Sequence, residues 1–241
     1  MRRAAFAAAA IMLVAACATK NTQNQFLGEV GSLSKEEIMA RGDAIAAKKK
    51  WQDARKYYSF LADSFPNDPL GRQAALKVAD TFYDEGDTES LTEAQLRYKD
   101  FSNRFPNDPS RAYALLMLGK VSYAQQKGPM HDLTPVRGAV DNLRQVVTLF
   151  PGSPYAKEAK ELLDRCLEEL AEHEYLVATF YANTAAWLGA RQRLDYLFAN
   201  YPDTAVAKKA APLVEKVDAH LRGTPKAAPA PPPTMSSGSP H

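Results

Sequence analysis

The sequence predicts an all-α protein made of stacked helical repeats, and three observations support this class. A small residue, two apolar residues and a proline recur at a constant internal spacing of four, three and five positions. An aromatic residue precedes each of these prolines, and a residue type that favours helix N-termini follows within two positions. The pattern occurs four times, and its copies begin at Ala54, Ala94, Ala139 and Ala190.

This spacing defines one helix and its end. Steps of four and three place the small and apolar residues on one face of a helix, where the small residue allows close approach of a neighbouring helix. Proline lacks an N–H and disfavours helical geometry in the preceding residue, so the helix ends at the aromatic residue. The next helix is predicted to start at Asp68, Asp108, Ser153, and Asp203 or Thr204.

The unit is typical of the second helix of a tetratricopeptide repeat, so we expect a solenoid of stacked helix pairs with about five repeats. An ordinary helical bundle with proline-broken helices is the alternative. A capping box at Ser34 predicts a first helix that runs to about Lys48, with Ala44 among its inner residues. Further helices are predicted at Trp51–Phe65, Leu70–Tyr83, Leu91–Phe105, Arg111–Gln126, Val136–Phe150, Pro154–Tyr181, Ala185–Tyr201 and Ala205–Leu221.

The segment Pro154–Tyr181 contains no helix-breaking residue, and its apolar residues keep a helical period from Ala156 to Phe180. A single long helix is therefore predicted. Cys166 lies on the apolar stripe, which favours a buried, unreactive thiol. His173 lies beside the stripe and is predicted to be a hydrogen-bonded core residue.

The first residues predict a secreted lipoprotein. Arg2 and Arg3 precede a 13-residue apolar run that is too short to span a bilayer, and Cys17 follows it. Residues 1–16 are predicted to be a signal peptide, cleaved before a lipid-modified Cys17, because Val14–Cys17 resembles the lipobox of bacterial lipoproteins. An ordinary signal peptide is the alternative. The remaining domain predictions are a flexible tether at 17–33, the repeat domain at 34–222 and a disordered proline-rich tail at 223–241.

Charge and motif content exclude several function classes. The chain has 30 basic and 28 acidic residues, and removal of Arg2 and Arg3 leaves 28 of each, which argues against nucleic-acid binding. The four histidines lie in separate elements, and the sequence lacks paired-cysteine metal motifs, serine-hydrolase motifs and glycine-rich phosphate loops. We therefore predict a protein-binding surface, no enzyme activity, no metal and no cofactor other than the covalent lipid on Cys17.

Two stretches carry a family resemblance. Residues Pro135–Tyr155 and the run Leu170–Thr204, which includes LAEHEYLVA, Ala186-Trp187 and Tyr201-Pro202-Asp203-Thr204, resemble the BamD family. The resemblance implies a non-catalytic outer-membrane lipoprotein of the β-barrel assembly machinery, facing the periplasm. Ala18 after the lipidated cysteine resembles the sorting signal for the outer membrane. The implied partners are the barrel-forming subunit, accessory lipoproteins and unfolded barrel precursors.

The resemblance also implies two binding surfaces. Arg193 matches a family arginine on the side that contacts the barrel subunit, and Arg191, Tyr175 and Trp187 are assigned to the same surface. Solvated helix charge is the alternative for the two arginines. Phe82 and Tyr83 match an aromatic pair in the N-terminal repeats, the part of the family that receives unfolded precursors. Packing in the core between helices is the alternative role for these two residues.

Other functions remain open at this point. A different tetratricopeptide lipoprotein of the cell envelope, coordinating Tol–Pal or peptidoglycan synthesis, shares every feature except the run Leu170–Thr204. A lipid-anchored accessory subunit of a peptidoglycan hydrolase is a further alternative.

Overall fold

The computed structural model describes residues 25–223, and within this range the protein is helical and contains no β-strand. Residues 25–30 are helical as well. The following helices are α1 (Lys35–Ala46), α2 (Trp51–Ser64), α3 (Pro69–Glu85), α4 (Thr88–Arg104), α5 (Arg111–Ala124), α6 (Thr134–Leu149), α7 (Ala156–Asn183), α8 (Trp187–Asn200), α9 (Ala205–Lys209) and α10 (Ala211–Gly223).

The chain divides into two compact units. Unit 1 contains the described residues up to 126 together with 133–166, and unit 2 contains 127–132 and the described residues from 167 onward. In unit 1, helices that are consecutive in sequence pack against each other from α1 to α6. In unit 2, α8 packs against α10. The predicted all-α class with paired helices is confirmed, and α7 is the uninterrupted long helix that the sequence predicts, with 28 residues.

The repeated small residue lies at the centre of each helix contact. All four alanines of the pattern are fully buried, with 0% of their surface exposed. In the first core of unit 1, Ala54 packs with Tyr58 and Leu61 of α2 and with Ala74 and Val78 of α3. An alanine at this position allows the close approach that a larger side chain would prevent.

Each repeated proline follows a helix that ends at the predicted aromatic residue. The backbone N–H groups of Phe65, Phe105, Phe150 and Tyr201 make the last helical hydrogen bonds, at 2.8–3.0 Å. After the first proline, the Asp68 carboxylate accepts a hydrogen bond of 2.9 Å from the Leu70 N–H and caps α3. Thr204 caps α9 in the same way. The caps predicted at Asp108 and Ser153 are wrong, because α5 begins after Ser110 without a side-chain cap and Ser153 Oγ has no hydrogen-bond partner before α7 begins at Ala156. The proline therefore ends each helix, and a side-chain cap starts the next helix after the first and fourth turns.

A cation covers the aromatic residue at three successive turns. Lys35 Nζ lies 5.3 Å from the centroid of the Phe65 ring. The Arg72 guanidinium lies 5.7 Å from the Phe105 centroid, and the Arg111 guanidinium lies 5.9 Å from the Phe150 centroid. We call each set of cation, aromatic residue and the residue three positions after the aromatic a junction. Junction 1 is Lys35, Phe65 and Asp68; junction 2 is Arg72, Phe105 and Asp108; junction 3 is Arg111, Phe150 and Ser153.

The first two repeats also share a tyrosine–aspartate contact. The Tyr58 hydroxyl donates to Asp43 at 2.6 Å, and the Tyr98 and Tyr113 hydroxyls donate to Asp80 at 2.6 and 2.7 Å. Burial raises the pKa of the Asp80 carboxyl above its ordinary value, although the hydrogen bonds from the two tyrosines act in the opposite direction. Burial and the nearby Asp80 charge also raise the pKa values of Tyr98 and Tyr113, which keeps both phenols protonated as donors.

The third repeat replaces this polar contact with an apolar one. Leu143 stands where Tyr58 and Tyr98 stand in the earlier copies. A Cβ added to Gly119 of α5 would lie 2.5 Å from Leu143 Cδ2, so glycine is needed for the leucine to pack there. Apolar residues on nearly all sides of α5 are buried, from Ala112 through Val121, as expected for a helix enclosed by its neighbours.

In unit 2, one predicted helix is divided into two. The segment predicted as Ala205–Leu221 forms α9 and α10, which are separated at Ala210. Pro212 explains the break, because its nitrogen cannot donate to a carbonyl one turn earlier and its ring collides with that turn. Ala210 and Val217 are fully buried in the core of unit 2, whereas Ala211 is exposed.

Several sequence predictions differ from the structure. The tether predicted at 17–33 is helical over residues 25–30, where Val30 is only 2% exposed and the Phe26 ring packs 5.1 Å from the Tyr57 ring. In α1, Ala44 is exposed, and Met39 and Gly42 are the buried residues beside Ile38. Phe180, predicted on the inner stripe of α7, is 63% exposed.

Other predictions for single residues are confirmed or lie outside the described range. Cys166 is completely buried, and the His173 ring nitrogen Nδ1 lies 2.6 Å from the Pro129 carbonyl oxygen. No helix within residues 25–223 is long and apolar enough to cross a membrane. The predicted signal peptide, Cys17 and nearly all of the predicted tail lie outside the described residues, and Gly223 ends α10.

Replacement of Gly71 by alanine should destabilise the protein by about 1–3 kcal/mol, the usual cost of overpacking. A Cβ at this position in α3 would lie 1.8 Å from the Phe65 carbonyl oxygen, and displacing this backbone atom would cost free energy of folding.

Gly138→Ala in α6 is the control, because its Cβ would lie 3.8 Å from the nearest atom, Ser122 Oγ. That variant should gain roughly 0.5–1 kcal/mol from helix propensity. Urea unfolding of both variants measures the difference, and equal effects would contradict this account of the turn.

Asp80→Asn and Asp43→Asn should change the pH dependence of stability in opposite directions. The raised pKa of Asp80 means that the folded state holds this proton more tightly, so the wild type gains stability relative to Asp80→Asn as pH falls. Burial alone would raise the pKa of Asp43, but hydrogen bonds from Lys77 and Tyr58 outweigh it and lower the pKa. The wild type should therefore lose stability relative to Asp43→Asn on acidification. Denaturant unfolding from neutral to acidic pH tests both, and parallel curves for the two variants would refute the assignment.

Candidate partner-binding surfaces

The described residues contain no group of three or more histidine, cysteine, aspartate or glutamate side chains arranged to hold a metal ion. The residues predicted for the barrel-subunit surface all lie in unit 2, on α7 and α8, while Phe82 and Tyr83 lie on α3 in unit 1.

Arg191 forms two ion pairs within unit 2. Its Nε donates to Asp195 at 2.9 Å along α8, and its Nη1 donates to Asp218 of α10 at 2.6 Å. Hydrogen bonding to Asp218 raises the pKa of Arg191 further above its usual range. This arginine joins α8 to α10, so its charge is already largely compensated inside the protein.

Arg193 pairs with a buried carboxylate. Its Nη1 lies 3.2 Å from Glu174 Oε2, and the Glu174 side chain is only 5% exposed whereas that of Arg193 is 44% exposed. Removal of Arg193 would leave the Glu174 carboxylate buried and unpaired, which is costly. Arg193 therefore contributes to the packing of α7 on α8 and still presents part of its guanidinium to solvent.

Tyr175 and Trp187 are both partly buried in the cores of unit 2. The Tyr175 ring packs against both hydrophobic clusters of the unit, and Lys209 Nζ lies 4.7 Å from its centroid. The Trp187 ring stacks on the His220 ring with centroids 3.8 Å apart and an interplanar angle of 14°. The side chains predicted as partner contacts thus hold the unit together, and their free surface is limited.

Other side chains supply the exposed apolar area of unit 2. Phe180 of α7 is 63% exposed and Phe198 of α8 is 38% exposed, and two further residues of α8 were not predicted from the sequence. Leu188 is 65% exposed and Tyr196 is 45% exposed. They lie two helical turns apart on α8, opposite the buried face formed by Ala190, Leu194 and Leu197. The signal was present in the sequence, because the same periodicity that identifies the buried face also identifies apolar residues on the opposite face.

In unit 1, Phe82 is enclosed by side chains of the same chain. The Arg55 guanidinium lies 3.5 Å from its ring centroid, and that of Arg97 lies 5.8 Å away. Arg55 is in turn held by Glu85 and by Thr81 Oγ1, the latter at 3.0 Å. The packing alternative therefore accounts for Phe82. Lys120 Nζ lies 5.9 Å from the Tyr83 ring, which is half-buried.

A polar cleft in unit 1 lies beside Asp80, the carboxylate that accepts hydrogen bonds from Tyr98 and Tyr113. Its volume is about 220 Å³, and its walls combine a lysine, the partly buried Asp80 carboxylate and two tyrosines. Lys77 on its wall also pairs with Asp43 at 2.8 Å. A cleft of this kind can accept one polar or aromatic side chain of an extended peptide. The lining residues are Gln73, Leu76, Lys77, Asp80, Ser110, Tyr113 and Tyr155.

Comparison with known proteins finds relatives that share one name. A Haemophilus influenzae protein is 28% identical over 186 residues, which cover 73% of this chain and 70% of the relative. A Vibrio cholerae protein is 27% identical over 66% of this chain and 69% of its own length. A Neisseria gonorrhoeae protein is 23% identical over 85% of this chain and 79% of its own length. Each is named outer membrane protein assembly factor BamD.

The match extends over both units. Residues 32–230 match the family model YfiO, described as an outer membrane lipoprotein. This range includes all helices from α1 to α10 and therefore every surface described above. The chain belongs to the YfiO/BamD family of outer-membrane lipoproteins.

Proposed function

We propose that this protein is a lipoprotein subunit of the outer-membrane β-barrel assembly machinery and acts as a non-catalytic scaffold on the periplasmic side. Family membership over residues 32–230 carries this proposal, together with relatives that are named outer membrane protein assembly factors. The described residues offer helix faces and clefts for binding, which agrees with a scaffold. Its partners are the barrel-forming subunit, accessory lipoproteins and unfolded barrel precursors.

Attachment to the outer membrane is assigned to Cys17. Residues 1–16 supply the basic start and apolar run of a signal peptide, and Cys17 follows at the lipobox position. Multiple acyl chains on Cys17 give stable anchoring, because each buried methylene adds roughly 0.8 kcal/mol of membrane affinity. The anchor confines the scaffold to the membrane where barrels are inserted.

The barrel-subunit surface is assigned to the solvent face of α8. Leu188 and Tyr196 supply exposed apolar area there, and Arg193, three residues before Tyr196, adds a partly exposed guanidinium beside the tyrosine. Apolar and aromatic side chains next to arginine are the composition enriched at protein interfaces. The position of α8 is stabilised by three predicted residues. Arg191 bonds Asp218 of α10, and the rings of Tyr175 and Trp187 pack in the hydrophobic core of unit 2.

Precursor binding is assigned to unit 1. The cleft beside Asp80 combines a positive charge with hydroxyl groups and tyrosine rings, which suits an extended peptide with polar and aromatic side chains. Tyr83 lies on α3, the helix that also contributes Asp80 to the cleft. The Phe82 ring of the same helix packs between the Arg55 and Arg97 guanidinium groups and stabilises α3.

Leu188→Asp should weaken binding of the barrel subunit about fivefold or more, because a charge at an interface centre costs over 1 kcal/mol. The matched control is Leu96→Asp on α4 of unit 1, since Leu96 is 59% exposed and Leu188 is 65% exposed. Both side chains already face water, so neither change should cost more than roughly 0.5 kcal/mol of stability, the difference in helix propensity between leucine and aspartate. Tagged variants are purified from native membranes in mild detergent, and the recovered barrel protein is quantified by mass spectrometry.

Three results would contradict the proposal. Recovery of Tol–Pal or peptidoglycan-synthesis proteins without a barrel protein would overturn the function itself. Equal recovery of the barrel protein by wild type and Leu188→Asp would overturn the assignment to α8. Equal losses for Leu188→Asp and Leu96→Asp would show an effect of surface charge without a specific interface.

A further inference from the structure

Junction 3 lacks the charged contact that closes junctions 1 and 2. In junction 1, Lys35 Nζ donates to Asp68 Oδ2 at 2.5 Å, and in junction 2, Arg72 Nε donates to Asp108 Oδ2 at 2.7 Å. Ser153 occupies the aspartate position in junction 3, three residues after Phe150. A serine hydroxyl is shorter than a carboxylate and carries no charge.

In junction 3, the arginine Nε and the serine hydroxyl that correspond to the bonded pair of junction 2 have no hydrogen-bond partner among the described residues. Arg111 Nε and Ser153 Oγ are both buried, and neither has a hydrogen-bond partner among the described residues. Nε is the atom that Arg72 uses to bind Asp108, so the missing bond is the equivalent of one seen in the preceding repeat. A buried donor without an acceptor costs free energy comparable to a lost hydrogen bond.

The other contacts of this repeat compensate only in part. The tyrosine–aspartate bond of the first two repeats is replaced by the packing of Leu143 on Gly119. Lys120 of α5 pairs with Glu158 of α7 at 3.0 Å, but the Glu158 side chain is 53% exposed, and exposed ion pairs contribute little. The Tyr113 and Tyr155 rings lie 5.3 Å apart. The start of α7 is therefore held by fewer polar contacts than the starts of α3 and α5.

We propose that junction 3 is the compliant junction of unit 1, where the first turns of α7 detach from the rest of the unit while junctions 1 and 2 stay closed. Local opening of this kind occurs where few polar and apolar contacts must break. Such a point allows the residues after Phe150 to adapt to a bound protein without unfolding the first two repeats. This local opening is a property of the chain itself and does not depend on the identity of the partner.

Hydrogen exchange tests the proposal at equivalent amides. The first helical hydrogen bonds after each turn are donated by Arg72, Ala114 and Ala159, with lengths of 2.9–3.0 Å. Protection factors, which are corrected for intrinsic exchange rates, should be lowest in residues 159–163 of α7 and higher in 72–76 of α3 and 114–118 of α5. Protection in α7 equal to or above that in α3 and α5 would overturn the proposal.

Ser153→Asp should close junction 3 and raise protection of residues 159–163 about fivefold or more, as expected when a charge-assisted hydrogen bond replaces two buried groups without partners. Aspartate also caps helices, so the same change is made together with Arg111→Met, which removes the donor but keeps apolar cover over Phe150. The gain should disappear in this double variant. A gain that persists without Arg111 is a capping effect and overturns the proposal, as does the absence of any gain.

The reverse change provides a matched control in junction 2. Asp108→Ser removes the acceptor for Arg72 Nε and should lower protection in residues 114–118 of α5 by a similar factor, leaving 159–163 unchanged. Circular dichroism confirms that the variant remains folded. Unchanged exchange in α5 would show that the ion pair does not control opening, and the proposal would fail.

Discussion

The close contact between successive helices at the four pattern alanines is the constraint on which the rest of the structure depends. Each alanine is fully buried, and a larger side chain there would force the helices apart. The proline turn makes this contact possible, because it ends one helix at an aromatic residue and starts the next within a few positions. Cations over Phe65, Phe105 and Phe150 then cover the exposed ends of the apolar contact. Such cation–π contacts stabilise the fold by roughly 0.5–2 kcal/mol each. Burial of apolar side chains between the helices contributes most of the stability, and the cation–π contacts add to it.

Local chemistry determined which features were predictable from the sequence. The turns and the length of α7 follow from proline, capping residues and the absence of breakers over 28 residues, which act within a few positions. Residues 25–30 were not predictable in the same way, because their polar composition indicates a tether and their helix depends on Phe26 packing against Tyr57. The break at Ala210 was readable from Pro212, but the apolar period across it favoured one helix.

The candidate sites show a different limit of sequence reasoning. Resemblance selected Arg191, Arg193, Tyr175 and Trp187, and the structure shows that each has partners within unit 2. A sequence cannot reveal that Arg193 faces the buried Glu174, because the two residues lie 19 positions apart on different helices. The same structure exposes Leu188 and Tyr196, which the helical periodicity of α8 places away from its buried face. The proposed binding surface on α8 rests on family membership and on packing that leaves these two side chains exposed to solvent.

Depletion of this protein in its native host tests the proposed role in barrel assembly most directly. Folded outer-membrane barrels are counted by their resistance to unfolding in detergent at room temperature, and peptidoglycan-linked and Tol–Pal functions are followed in the same cells. If the protein acts in barrel assembly, folded barrels should decline first and unfolded precursors should accumulate in the periplasm. Unchanged levels of folded barrels, together with an early defect in envelope constriction or peptidoglycan synthesis, would contradict it.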